Sequence, residues 1–186
     1  MDTHHIIITG ASRGIGHAVA TLYASMGWNI SICCRHRGIE MEATVQKITA
    51  AGGQYFLFYG DMGNPEDAES FIQKAVMTFG IPEILVNNAG ISYIGLLQDM
   101  TPEEWNDLIQ TNLSSVFYTS RIIIPYYLQN KHGKIINVSS VWGSTGASTE
   151  VAYSASKGGI NAFTKALAKE LAPSGIQVNA ISCGMI

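Results

Sequence analysis

An α/β fold built on one doubly wound parallel sheet follows from three features of these 186 residues. Short β-rich segments alternate with longer amphipathic ones from end to end. Several of the short segments are apolar at consecutive positions, as strands buried on both faces are. Glycines punctuate the alternation where turns belong. A repeated strand–helix–strand order with right-handed crossovers is satisfied by a parallel sheet covered by helices. Ligands of such a sheet bind beyond the carboxyl ends of its strands, where the strand order reverses.

In chain order, strands are expected at residues 4–9, 29–34, 55–59, 83–87, 134–139 and 177–181. Between them the helical period of 3.6 runs through 14–26, 40–51, 65–79, 102–130 and 153–172. Two helix starts are well marked: Asn64 before Pro65 and Thr101 before Pro102 place a capping side chain ahead of a residue whose missing N–H costs nothing there. Gly27, Gly52, Gly53 and Gly80 fall just past helix ends, where left-handed backbone is often required. No repeat or linker divides the chain, so residues 1–186 read as one domain.

Composition removes several function classes. Charged residues are 13% and the formal net charge is −3, which argues against a nucleic-acid surface. Apolar runs such as 6–8 and 84–86 are far below the roughly 18 residues of a membrane span. Residues 1–5 have no basic leader region, so a cytoplasmic protein is expected. The cysteines Cys33, Cys34 and Cys183 make neither a disulfide framework nor a zinc spacing, and the five histidines give no metal pattern. No metal is expected.

Chemistry begins at Thr9-Gly10-Ala11-Ser12-Arg13-Gly14-Ile15-Gly16, between the first strand and the first helix. Glycines at 10, 14 and 16 allow a sharp turn and close approach to a pyrophosphate, and the helix start offers free N–H groups to it. A glycine turn alone also suits a ligand-free strand–helix corner. Further residues follow in a fixed order: Asp61 after strand three, Asn87-Asn88-Ala89-Gly90 after strand four, Asn112 in the long helical stretch, Ser139-Ser140 at the end of strand five, and Tyr153-x-x-x-Lys157 at a helix start. Together these resemble the short-chain dehydrogenase/reductase family, and within it the 3-oxoacyl-acyl-carrier-protein reductase group, through Trp105 to Phe117 and Gly133 to Ser140.

The resemblance implies a Rossmann-like fold and a nicotinamide dinucleotide held by Gly10, Ser12, Arg13, Gly14, Ile15, Gly16, Arg35, Asp61, Met62, Asn88, Ala89, Gly90, Tyr153, Lys157 and Ile186. Strand two ends on Cys34-Arg35 with no carboxylate to repel a ribose 2′-phosphate, and Arg35 with Arg13 favours NADP(H). The resemblance also implies a catalytic set of Asn112, Ser140, Tyr153 and Lys157. Tyr153 would donate a proton to a carbonyl oxygen held by Ser140, and Asn112 would hold a water leading from Lys157 to solvent. Tyr153 and Lys157 are one helical turn apart. A phenol titrates near pH 10, and bringing it to neutrality takes roughly 4 kcal/mol, about what one ammonium 4 Å away supplies at an effective dielectric of 20.

The expected reaction is NADP(H)-dependent reduction of a 3-oxoacyl thioester. An NAD-dependent alcohol, sugar or steroid dehydrogenase is the second reading, and a silent dinucleotide-binding or oligomerisation module the third. Ile91, Tyr93, Ile94, Trp142, Thr145, Thr149 and Val151 form an apolar rim suited to an acyl chain. An acyl carrier protein is a candidate partner through Lys131, although Pro173-Ser174-Gly175 lacks the basic residue the resemblance leads one to expect. A homotetramer or homodimer is implied, and Ser156, Gly158 and Gly159 read as close packing against the sheet or a second copy. Two departures stand out. Cys183 replaces an expected proline before Gly184, and the chain reaches Ile186 before the last strand and lid helices of the family.

Overall fold

The computed structural model describes residues 4–184. Six parallel strands, β1 (His5–Thr9), β2 (Asn29–Cys34), β3 (Tyr55–Tyr59), β4 (Ile84–Asn87), β5 (Lys134–Ser140) and β6 (Gln177–Cys183), lie in the order β3-β2-β1-β4-β5-β6. Helices α1 (Gly14–Ser25), α2 (Ile39–Ala50), α3 (Pro65–Phe79), α4 (Pro102–Ile109), α5 (Ser115–Asn130), α6 (Trp142–Thr145) and α7 (Val151–Leu171) connect them. Alternation along β1 divides the core: Ile7 packs with Phe71 of α3, Ile123 of α5 and Leu167 of α7, while Ile6 and Ile8 pack with Ala20 of α1 and Met41 and Ile48 of α2. Consecutive apolar residues in β1, β2 and β4 are thus buried on two faces. The outer strands are not, since β3 is partly open and Ile181 of β6 is 54% exposed.

Most predicted boundaries hold to within two residues, and the helix starts at Asn64-Pro65 and Thr101-Pro102 are capped as read. The stretch 102–130 is not one helix. Between α4 and α5 the segment Gln110–Ser114 takes a π turn, which adds a residue to one turn and re-aims the side chains that follow it. Gly27, Gly52 and Gly80 have positive φ, but Gly53 does not; its missing side chain instead admits Ala24, whose Cβ would lie 2.8 Å from an added Cβ. The sheet interior also carries a polar cross-tie. Asn87 of β4 donates to Asn137 of β5 (2.9 Å) and Ser120 of α5 (3.3 Å), Thr119 donates to Asn87 (2.7 Å), and Asn137 donates to Thr164 of α7 (2.9 Å). All five are buried.

A buried acceptor stripped of its donor loses more than one ordinary hydrogen bond. Thr119→Val keeps the shape of the side chain and leaves the Asn87 carbonyl without that donor, so it should lower unfolding free energy by roughly 1–3 kcal/mol in urea titration. An unchanged midpoint would show that the cross-tie contributes nothing.

Candidate active site

The reversal in strand order falls between β1 and β4, and there the two chain crossings are clamped together. Asn88 donates its side-chain amide to the carbonyls of Thr9 (3.0 Å) and Gly10 (2.8 Å), while the Thr9 hydroxyl accepts from the backbone of Asn88 and Ala89 (both 3.0 Å). The approach is close enough that a Cβ on Gly16 would lie 2.4 Å from the Gly10 oxygen and 2.6 Å from the Asn88 amide. Gly14 is glycine for another reason: its φ is +56° and an added Cβ would meet nothing within 4 Å. Among the described residues no side chain caps α1, so the N–H groups of its first turn remain for a ligand's oxygens.

Two adjoining cavities open from this corner and share Asn88, Gly90 and Ile91. The larger, about 600 Å³, is bounded by Gly10, Ser12, Arg13, Arg35, Asp61, Met62, Ala89 and Thr111. The smaller, about 310 Å³, is bounded by Ile15, Ser140, Tyr153, Lys157 and Cys183. Of the residues predicted to hold a dinucleotide, Ile186 lies outside the described residues, and Gly14 and Gly16 sit in the turn just described. The uncapped helix start, the glycine turn and the paired cavities fit a nicotinamide dinucleotide.

In the smaller cavity, β5 and α7 bring three predicted residues together. Ser140 accepts from the Trp142 amide (3.2 Å), which leaves its hydroxyl hydrogen to donate. Lys157 is 4% exposed, donates Nζ–H to the Val138 carbonyl (2.7 Å) and stands 5.5 Å from the centroid of the Tyr153 ring. Burial pushes the lysine pKa down to about 8. The expectation that this lysine depresses the tyrosine pKa is not met. Burial raises the Tyr153 pKa, the Ser140 side chain offsets part of the rise, and the Glu150 charge adds to it. The ammonium is turned to a backbone carbonyl over the ring face instead of to the phenol oxygen.

Asn112 stands between the loop after β4 and α7. It is fully buried, accepts from the Ile91 amide (2.8 Å), and donates to the Ile91 carbonyl (2.9 Å) and the Ser156 hydroxyl (3.1 Å). Its side chain clamps the loop after β4, and no hydrogen bond runs from it to Lys157. Ser156, read as packing, donates to the Tyr153 carbonyl (2.7 Å) and so links Asn112 to the turn that carries Tyr153. Within the chain, Gly158 and Gly159 pack against Gly143 and Leu113. Arg35 is the largest surprise. Its Nη2 pairs with Asp61 (3.1 Å) and Asp107 (3.3 Å) and donates to Thr111 (2.6 Å). Arg13 reaches Glu40 at 3.5 Å.

Sequence reasoning missed Thr44 altogether. Its buried hydroxyl faces the carbonyls of Ala11 (3.1 Å) and Ser12 (3.2 Å) and pins the glycine turn from α2. With its one hydrogen turned to those carbonyls, it accepts from His17 Nδ1 (2.7 Å), which assigns that tautomer. Among the described residues no group of histidine, cysteine and carboxylate side chains is placed to hold a metal, and no helix is long and apolar enough to cross a membrane.

A family model described as short chain dehydrogenase matches residues 4–186. The chain is 39% identical over 184 residues to the 3-oxoacyl-[acyl-carrier-protein] reductase FabG of Staphylococcus aureus strain Mu50, covering 99% of this chain and 75% of that protein. It is 39% identical over 181 residues to the enzyme of the same name from Escherichia coli K12, covering 97% and 72%. Among solved structures, a metagenomic short-chain oxidoreductase in complex with NADP superimposes with a TM-score of 0.92 at 33% identity, over 98% of this chain and 82% of that one.

The lowered lysine pKa sets a pH dependence of stability. Between about pH 8 and the ordinary lysine value of 10.5, the unfolded chain keeps the Lys157 proton and the folded chain has released it. Stability therefore rises with pH in that window. Unfolding in urea at pH 7 to 10 should show wild type gaining up to ~3 kcal/mol relative to Lys157→Met across the series. Parallel profiles would contradict the burial penalty.

Proposed function

The chain belongs to the short chain dehydrogenase family of oxidoreductases, and from that premise we propose that it reduces the ketone of a 3-oxoacyl thioester with NADPH. One observation carries the reading: Ser140, Tyr153 and Lys157 line a cavity that opens directly onto the larger cavity above the glycine turn. When bound, a nicotinamide dinucleotide supplies a hydride for the carbonyl carbon. The chain supplies the rest. Ser140, its oxygen already engaged by the Trp142 amide, turns its hydrogen to the carbonyl oxygen and orients it. Tyr153 gives that oxygen its phenolic proton, and its raised pKa keeps the proton in place until then. Lys157, its ammonium on the Val138 carbonyl and held over the ring, positions that ring.

The family and the identity to the two FabG enzymes support the oxidoreductase chemistry; the thioester is our assignment. It is favoured by exposed apolar side chains, Ile94, Leu96 and Leu97 on the loop that continues from Ser92 of the smaller cavity and Val151 two residues before Tyr153. That loop is tied to the segment before α7 by the bonds from Gly95 to Thr149 (2.9 Å) and from Ser92 to Glu150 (2.9 Å). NADPH is preferred on our reading because Arg13, Arg35 and Arg37 border the larger cavity. We further assign a homodimer or homotetramer, for which the exposed Phe117 and Leu128 of α5 are apolar contacts on offer.

Steady-state assays with NADPH and acetoacetyl thioesters test the reaction. Tyr153→Phe should lower kcat by ~10²–10⁴ while titrating with NADPH as wild type does. Undiminished turnover by this variant would remove Tyr153 as the acid. Arg35→Ala should reduce the preference for NADPH over NADH by about 10-fold or more, the value of a charge-assisted bond to the 2′-phosphate. An unchanged preference would favour the NAD-dependent reading.

A further inference from the structure

Arg35 does not wait in solvent for a ligand. Its guanidinium crosses the larger cavity, with one nitrogen shared among Asp61 at the end of the β3 turn, Asp107 of α4 and Thr111 of the π turn. Thr111 in turn donates to the same Asp107 oxygen (3.4 Å), so two of the three acceptors are tied to each other and Asp61 stands apart from them. Arg35, Asp61 and Thr111 all line the cavity, whereas Asp107 stands outside it with its side chain 51% exposed. A guanidinium that bridges two walls of the cavity and engages the Asp61 carboxylate occupies the space and the hydrogen-bonding groups that an adenosine moiety needs.

We propose that Asp107 and Thr111 latch Arg35 across the adenosine end of the cavity, so that Asp107 sets how tightly a dinucleotide binds without setting which dinucleotide is chosen. This inference rests on the reading of the larger cavity as the adenosine half of the cofactor site. The protein binds nucleotide only in the fraction of molecules with the latch open, and the apparent dissociation constant is divided by that fraction. NADP and NAD both require the latch to be open. Its cost therefore enters both dissociation constants by the same factor and cancels from their ratio. Once released, Arg35 meets a 2′-phosphate only in NADP, and the ratio is set there.

Calorimetric titration of the whole chain with NADP⁺ and, separately, with NAD⁺ tests the latch without any turnover. Asp107→Ala should tighten both ligands by the same factor, about two- to five-fold, the size of a partly exposed ion pair. Glu103→Ala, on the same helix but outside the latch, should tighten neither. Loss of a negative charge acting at long range would instead favour the more anionic NADP⁺ and would appear in both variants, and that result overturns the proposal. So does an Asp107→Ala variant with unchanged affinities, or one that weakens NADP⁺ alone, which would make Asp107 a residue that positions Arg35 for the phosphate. Arg35→Ala separates the two layers. It should tighten NAD⁺ because the latch is gone; if the NADP⁺ to NAD⁺ ratio stays unchanged, the assignment of NADP(H) fails while the tightened NAD⁺ upholds the latch.

Discussion

The clamp between Thr9-Gly10 and Asn88 is the contact on which the rest of the site depends. In a parallel sheet whose order reverses between β1 and β4, the loops after these strands leave in opposite directions and open a crevice. That crevice has a defined floor only if the two strand ends are held at one height. Here the Asn88 side chain satisfies two carbonyls of the turn after β1, and the Thr9 hydroxyl satisfies two amides of the turn after β4. The exchange leaves no room for side chains at Gly10 or Gly16, where an added Cβ would lie 2.7 Å from the Ala89 Cα or 2.4 Å from the Gly10 oxygen. Thr44 then fixes the far side of the same turn from α2. Both cavities are bounded by this one rigid corner.

Lys157 shows the opposite kind of constraint, a group kept where it is expensive. An ammonium inside the protein is disfavoured unless hydrogen-bonded, and its one carbonyl partner offsets only part of the loss of water. The consequence is a lysine that releases its proton near pH 8, close to the working range of a proton-transfer site. Tyr153 moves the other way, since its burial and the Glu150 carboxylate both oppose phenolate formation. From ordinary values of 10.5 and 10.0 the two shifts move the groups' proton affinities apart, so the tyrosine holds its proton more firmly than the lysine does, as suits a group that must give it up only at the moment of reaction.

Much of this was legible along the chain because it is local. Alternating strands and helices, the glycine turn, the two proline-marked helix starts and the Tyr153/Lys157 spacing all depend on neighbours within a few residues. What escaped depends on partners far away in sequence. Arg35 meets Asp107 across 72 residues and Thr44 meets Ala11 across 33, and nothing in either neighbourhood announces the other. The π turn escaped for a different reason. The apolar period through 102–130 survives one inserted residue well enough to look like an unbroken helix, and only the inward aim of Asn112 betrays the change. The pKa of Tyr153 is not legible in the Tyr153/Lys157 spacing, because spacing fixes which face a lysine shares and not which oxygen its ammonium chooses.

That inserted residue explains how a helix on the sheet's flank reaches the centre of the site. A regular helix through 110–114 would carry its side chains past the crevice at the steady angle of the helical period. The wider turn changes the angle between α4 and α5 and delivers Asn112, fully buried, between the loop after β4 and the first turns of α7. There it holds both backbone groups of Ile91 and the Ser156 hydroxyl, and Ser156 in turn holds the Tyr153 carbonyl. One face of the π turn therefore sets the distance between the shared wall of the two cavities and the helix that carries Tyr153 and Lys157. Its neighbour Thr111, one residue earlier, holds Arg35 over the adenosine end. A single irregular turn thus fixes a residue at each end of the proposed dinucleotide site, which is a reason for the chain to tolerate a conformation poorer in hydrogen-bond geometry than the helix it interrupts.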